Sequence, residues 1–238
     1  MIELCFIPVG IPDNLDRNRP VVVVDIFRAS TSIAAALHSG ADAVYVAGSM
    51  KEADALKQQI GGNVVLAGER GGLRIEGYDL GNSPREMTPD AVAGRHVIFN
   101  STNGTKLLRR FAGFQSVVVG SFVCLSALVS YLGKCGGDPI LCCAGQSGKF
   151  STEDALAAGF IISRLDRPDA DLDDAGLFAR RMVGMAGDAW KDWARNSSHG
   201  HLLASLGLAD DLDFCLTIDK YDFVPVLDGD RIRRNGGQ

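Results

Sequence analysis

The sequence predicts an α/β fold, a largely parallel sheet with helices on its faces, and three observations carry that prediction. From residue 20 to about 165, short apolar segments alternate with helical ones at the spacing of βαβ units. The strand segments are unbroken apolar runs such as Val21-Val22-Val23-Val24, the pattern of strands covered on both faces. Four of these runs lead into loops of Gly, hydroxyl residues and paired opposite charges. Open α/β sheets bind ligands at the carboxyl ends of their strands, so four similar loops there predict one shared site.

Strand signals fall near 20–25, 42–47, 63–67, 95–100, 115–120 and 138–144, and helical signals near 30–39, 49–60, 103–112, 123–134 and 152–165. The Asp-rich stretch from Arg164 to Asp174, with Pro168, reads as a surface connection. Residues 175–195 read as helical, Asn196 to Gly200 as a loop, and 201–206 as a short helix closing at Gly207. Phe214 to Ile218 and Phe223 to Leu227 alternate like two strands, expected as antiparallel additions at a sheet edge. No internal repeat or low-complexity tract interrupts the 238 residues, so one domain spanning 1–238 is expected.

A hydrophobic content of 46% with 22% charged residues is that of an ordinary globular protein. The net charge of -5 argues against a nucleic-acid surface, which needs a basic excess. No apolar run reaches the roughly 18 residues of a membrane span, and no basic leader with a cleavage site opens the chain. The six cysteines form no C-x-x-C pair and mostly sit in apolar surroundings, which points to free thiols in a reduced, cytoplasmic protein.

Asp25 follows the four valines directly, and Glu69 follows Val64 to Gly68, so both carboxylates are placed at strand ends. Mg²⁺ takes one or two protein carboxylates and completes its shell with water and substrate phosphate, a demand this pair meets. The competing reading pairs Asp25 with Arg28 and Glu69 with Arg70 as local ion pairs. Glu153 and Asp154 open a helix, where Ser151-x-x-Asp154 has capping-box-like spacing. Asp154 therefore reads as structural, and Glu153 as the better ligand or base. Thr102, Asn103, Gly104 and Thr105, with Lys106 beside them, and Ser30 and Thr31 with Arg28, lie at two helix starts that suit an anion; simple N-capping is the alternative. His199, between Ser198 and Gly200, is a catalytic candidate or a cap for the following helix. Cys143 to Lys149 has the context of a cysteine-phosphatase loop, C-x5-R, but Lys replaces the Arg that would grip phosphate with a planar fork. Cys143 then reads as a small buried residue. A phosphoaspartate mechanism at Asp25 would need D-x-D, and position 27 is Phe.

With these motifs assembled, the chain resembles the 2-phosphosulfolactate phosphatase family. The resemblance runs from Val21 to about Val226. It rests on Asp25-Ile26-Phe27-Arg28-Ala29-Ser30-Thr31, Gly68-Glu69-Arg70-Gly71-Gly72, Asp79-Leu80-Gly81-Asn82-Ser83-Pro84 and Ser101-Thr102-Asn103-Gly104-Thr105. Cys143-Ala144-Gly145 with Glu153-Asp154, Ser198-His199-Gly200 and Val224-Pro225-Val226 complete it. It implies a three-layer α/β/α fold with a mixed sheet, Mg²⁺ as cofactor, and hydrolysis of the phosphate monoester of a 2-hydroxy acid bearing a sulfonate. The family's product, sulfolactate, lies on a route to coenzyme M. The expected assignment puts Asp25, Glu69 and Glu153 on the metal and Arg28, Arg70 and Lys106 with the Asn103–Thr105 amides on the anionic groups. Glu153 or Asp154 then orients water, and His199 joins the catalytic set. Several cations around one site also predict a substrate with an anionic group beyond the phosphate. The expected partners are that small phosphate ester and, in a homodimer, a second copy of the chain. The rivals are a metal-independent cysteine phosphatase at Cys143 and a non-catalytic module that binds a phosphorylated or sulfonated metabolite.

Overall fold

In the computed structural model, which describes residues 1–235, each apolar run of the alternating region forms a strand and each stretch between forms a helix. In chain order the elements begin β1 (Glu3–Cys5), β2 (Val21–Val24), α1 (Ala29–His38), β3 (Ala43–Val46), α2 (Met50–Ile60), β4 (Val64–Arg70) and β5 (Leu73–Arg74). Then come α3 (Pro89–Val92), β6 (His96–Asn100), α4 (Gly104–Arg110), β7 (Val117–Gly120), α5 (Leu125–Cys135), β8 (Ile140–Cys143) and α6 (Thr152–Arg164). The C-terminal part adds α7 (Asp174–Ala186), α8 (Trp190–Arg195), α9 (Ser198–Ser205), α10 (Ala209–Cys215), β9 (Pro225–Asp228) and β10 (Arg231–Arg234).

Among the described residues the ten strands form one mixed sheet in the order β1-β8-β2-β7-β9-β10-β3-β6-β4-β5. β1, β8, β2 and β7 are mutually parallel, as are β3, β6 and β4. The β9–β10 hairpin joins the two blocks through antiparallel ladders on both sides. Three antiparallel steps reverse the second block relative to the first. Sheet twist works against that reversal: five ladder steps from β2 to β6, at about 20–25° each, add about 100–125°. Residues at or just after the carboxyl ends of β2, β4, β6 and β8 line one crevice.

The strands alternate between two apolar layers. Val21 and Val23 of β2 pack with Ile33 of α1, Leu107 and Leu108 of α4, and Phe111 just beyond it on one face. Val22 and Val24 face the opposite layer, with Leu128 of α5, Leu156 and Ile161 of α6 and Met182 of α7. Over the second block, Tyr45, Leu66 and Ile98 pack with Ala53 of α2. The result is a three-layer α/β/α arrangement. Among the described residues no helix is long and apolar enough to cross a membrane.

The C-terminal segment departs from the sequence reading. Phe214 to Ile218 is not a strand: Phe214 belongs to α10, and turns follow. The strand expected at Phe223 to Leu227 is β9, and it lies with β10 in the middle of the sheet, not at an edge. Pro225 is tolerated there as the first residue of its strand. The helical stretch 175–195 is two helices, parted at Gly187, whose φ of 47° no ordinary helix residue adopts. The loop expected over 196–200 ends earlier, because Ser197 caps α9 by accepting a hydrogen bond from the Gly200 N–H at 3.0 Å. His199 therefore stands in the first turn of a helix.

Candidate active site

The crevice at the converging strand ends is open to solvent and has a cavity volume of about 70 Å³. β2 brings Asp25, Phe27 and Arg28 to it, β4 brings Glu69, and the loop after β4 brings Gly71 and Gly72. Ser101, Thr102 and Asn103 follow β6, Gln146 and Ser147 follow β8, and Asn82, His199 and Leu202 close the walls.

Glu69 is fixed from both sides. Its Oε1 accepts from the Thr102 N–H at 2.7 Å and its Oε2 from the Gly72 N–H at 2.9 Å. The Asp25 backbone is held by its N–H donating to Ser30 Oγ at 2.9 Å. Burial pushes the Asp25 carboxyl up to about 6; the His199 ring lowers it, the Glu69 and Glu153 charges raise it, and the Gly104 N–H lowers it. Gly104 has no side chain for a reason of space: a Cβ would lie 2.5 Å from Asp25 Oδ2 and 3.2 Å from Ala29 Cβ.

Behind this pair, Glu153 is buried and its Oε1 lies 3.1 Å from His199 Nδ1, while its Oε2 has no hydrogen-bond partner. An unpaired buried acceptor costs about 1–3 kcal/mol. Asp154 serves structure. Its two oxygens accept from the Ile26 N–H at 2.8 Å and the Gly145 N–H at 3.0 Å, tying the loops after β2 and β8 together. The capping box does not form, since Ser151 makes no side-chain cap and Asp154 is turned to those loops. Burial and the Glu153 charge hold the Asp154 carboxyl well above its ordinary range.

The anion-binding assignments divide. Arg28 lines the crevice, but its guanidinium is anchored: Nη1 to Asp211 Oδ2 at 2.7 Å and Nη2 to the Gly72 carbonyl at 2.6 Å. Ser30 and Thr31 are buried within α1, Thr31 Oγ1 donating to the Ile26 carbonyl at 3.3 Å, and neither lines the crevice. Arg70 is turned away, donating to the Glu69 carbonyl at 2.8 Å and to Asn100 Oδ1 at 2.7 Å. Thr105 is buried, and its hydroxyl donates to the Ser101 carbonyl at 2.9 Å. Thr102 and Asn103 line the crevice, with Asn103 Oδ1 accepting from the Ser147 N–H at 3.3 Å. Lys106 is exposed on α4 and faces an adjoining cavity shared with Thr102, Asn103 and Ser147. Of the three expected cations only Arg28 reaches the crevice itself, because the seven-residue α4 turns Lys106 outward and Asn100 captures Arg70.

The crevice thus carries two carboxylates against one arginine that is already paired with Asp211. Among the described residues no three His, Cys, Asp or Glu side chains form a metal-holding group. Glu153, which was expected on the metal, contacts His199 and does not line the crevice with Asp25 and Glu69. The two remaining oxygen donors fit Mg²⁺, which needs only one or two protein carboxylates. Cys143 does not suit a nucleophile: it is fully buried, and burial with the nearby Asp154 charge drives its thiol well above the ordinary value.

Residues 5–230 match the family model described as 2-phosphosulpholactate phosphatase. The chain belongs to the 2-phosphosulfolactate phosphatase family. Its relatives in that family include a probable 2-phosphosulfolactate phosphatase of Caldanaerobacter subterraneus subsp. tengcongensis, 36% identical with 91% of each chain covered. Proteins of the same description from Carboxydothermus hydrogenoformans (37% identical, 94% of this chain and 92% of the relative) and Thermotoga petrophila (38%, 88% and 89%) are equally similar. Sequence reasoning for this family member missed Asn82, Ser101, Gln146, Ser147 and Leu202 as crevice residues, and Asp211 as the partner of Arg28. Asn82, Ser101, Gln146 and Ser147 stand in the loops already singled out. Asp211, in a helix that the sequence reading did not assign, carries no local signal.

Proposed function

We propose that this chain is a divalent-metal-dependent phosphatase, acting in the cytoplasm on the phosphate monoester of a small anionic 2-hydroxy acid. The family points to 2-phosphosulfolactate, hydrolysed to sulfolactate and inorganic phosphate. One observation supports the metal above all: two buried carboxylates, Asp25 and Glu69, face a crevice whose single arginine is neutralised by Asp211. A multiply charged anion would be repelled there unless a cation entered first. Asp25 and Glu69 would hold Mg²⁺, which when bound neutralises charge on the phosphoryl oxygens.

The chain's own residues supply position and proton handling. The Thr102 and Gly72 N–H groups keep Glu69 from rotating, and Gly104 leaves Asp25 room to face the crevice. With its Nδ1–H donated to the Glu153 carboxylate, His199 keeps Nε2 as its free ring nitrogen. That atom can take a proton from the attacking water, or return one to the alkoxide oxygen released as the P–O ester bond breaks. Arg28, fixed by Asp211 and Gly72, offers its remaining N–H groups to an anionic oxygen of the substrate. Measuring phosphate release from 2-phosphosulfolactate, before and after chelation, tests the reading. No release from this ester with Mg²⁺ present would refute it.

A further inference from the structure

Asn82 belongs to a loop, Asp79 to Pro84, that none of the steps above uses. It is 5% exposed and lines the crevice, and its Oδ1 is sealed without a hydrogen-bond partner, which leaves the NH₂ as the end of the amide open to the crevice. The residue is held firmly all the same. Its carbonyl accepts from Ser32 Oγ at 2.8 Å, and the neighbouring Ser83 Oγ donates to Asp211 Oδ1 at 2.6 Å. Asp211 also grips Arg28, so one buried aspartate sets the Asn82 loop and the arginine against the same wall. Gly72 separates that wall from the carboxylates, since its carbonyl receives Arg28 and its N–H serves Glu69.

We infer that Asn82, beside Arg28, is a specificity-determining contact for the substrate's second oxyanion, the carboxylate or sulfonate that does not react. The inference rests on the phosphatase reading above. The phosphoryl group belongs at Asp25 and Glu69, which leaves the Arg28–Asn82 wall for the remainder of the molecule. A carboxamide is suited to that place, because its NH₂ donates to an oxyanion without adding a charge that would need a partner when the crevice is empty.

The test compares wild type, Asn82→Ala and Asn82→Asp on four esters: 2-phosphosulfolactate, phospholactate (carboxylate only), the phosphate of 2-hydroxyethanesulfonate (sulfonate only) and ethyl phosphate (neither). Asn82→Ala should lower kcat/KM about 10- to 100-fold, mainly through KM, the loss of one charge-assisted hydrogen bond. The loss should occur on 2-phosphosulfolactate and on whichever single-anion ester carries the group Asn82 reads, with ethyl phosphate unchanged. Asn82→Asp, which sets a negative charge against the same group, should lose more on the same esters. An equal loss on ethyl phosphate, or no loss on any ester, would overturn the inference. Calorimetric titration with sulfolactate, which carries both oxyanions and no phosphate, separates this failure from failure of the phosphatase reading. Weaker binding by Asn82→Ala supports the contact even if no ester turns over, and equal binding or no binding by wild type overturns it.

Discussion

Replacing Asp211 by Ala should be among the most damaging single changes in this protein. Arg28 and Asp211 are 3% and 2% exposed at their side chains, and their 2.7 Å contact is completed by Ser83 and the Gly72 carbonyl. Removing the carboxylate leaves a buried guanidinium without its counter-charge, which costs about 3–5 kcal/mol. For a chain of this size about 2–4 °C is lost per kcal/mol, so the melting temperature should fall by about 6–20 °C. The double variant Arg28→Met/Asp211→Leu removes both charges and should recover most of that stability, because an apolar pair of similar volume replaces a buried ion pair at little cost. It should nevertheless lack phosphatase activity, since the guanidinium that lines the crevice is gone. Thermal and urea unfolding of wild type, both single variants and the double variant give the coupling energy. A cost below about 1 kcal/mol for Asp211→Ala, the range of exposed pairs, would show that the ion pair is not a buried one in effect. A double variant no more stable than Asp211→Ala would show the same. A stable double variant with full activity would remove Arg28 from substrate binding.

Exhaustive chelation should abolish activity and Mg²⁺ should restore it; an unchanged rate after chelation would eliminate the metal. Cys143→Ser should keep most activity because the thiol is sealed from the crevice, and an inactive variant of unchanged stability would restore the cysteine mechanism. Gly104→Ala should lower kcat roughly 100-fold with the fold retained, because its Cβ would meet Asp25 Oδ2 at 2.5 Å and push the carboxylate aside; wild-type kcat would show that Asp25 need not stay where it is. Burial raises the Asp219 carboxyl, but Ser126 N–H at 2.6 Å, Ser126 Oγ at 2.7 Å and Arg164 at 3.0 Å outweigh it, and its pKa is lowered overall. That stabilisation is present above the unfolded pKa of about 3.9 and lost as pH falls through the lower folded value, so Asp219→Asn should cost about 1 kcal/mol at neutral pH and progressively less as the pH falls below about 3.9. A cost that does not shrink with falling pH in urea titrations would refute this.

The first two-thirds of the fold were legible because burial on both faces writes itself as continuous apolar runs. Val21–Val24, Ile140–Cys143 and the helices between them gave local periods that nothing long-range overrides. The C-terminal third was harder for a physical reason. Helix α10 is short, and Phe214 near its end, read with Leu216 and Ile218 beyond it, mimics an alternation. One local signal did mark the central hairpin: Gly229-Asp230 separates β9 from β10, with Gly229 at φ 64°, the two-residue turn that Gly favours. Its position in mid-sheet has no local signature, since strand order is set by pairing between residues more than a hundred apart, such as Val118 with Val226.

The site shows the same division. Placing Asp25, Glu69, Thr102 and Asn103 at strand ends required only the run of valines and the loops that follow. Separating the cations that reach the crevice from those that do not required side-chain partners. Arg70 lies next to Glu69 in sequence, yet a β-strand sends neighbours to opposite faces, and Asn100 is within its reach on the far side. Lys106 stands on the first turn of α4, where the face toward the core is taken by Leu107 and Leu108. The crevice therefore holds less positive charge than the loops suggested, and this strengthens the argument for a metal. Two more cations beside Asp25 and Glu69 would have balanced the site alone, and anion binding would then need nothing further. With Arg28 held by Asp211, the proposed function has the positive charge that binds a phosphate ester come from solution, and the oxygen donors of Asp25 and Glu69 are where it would stay.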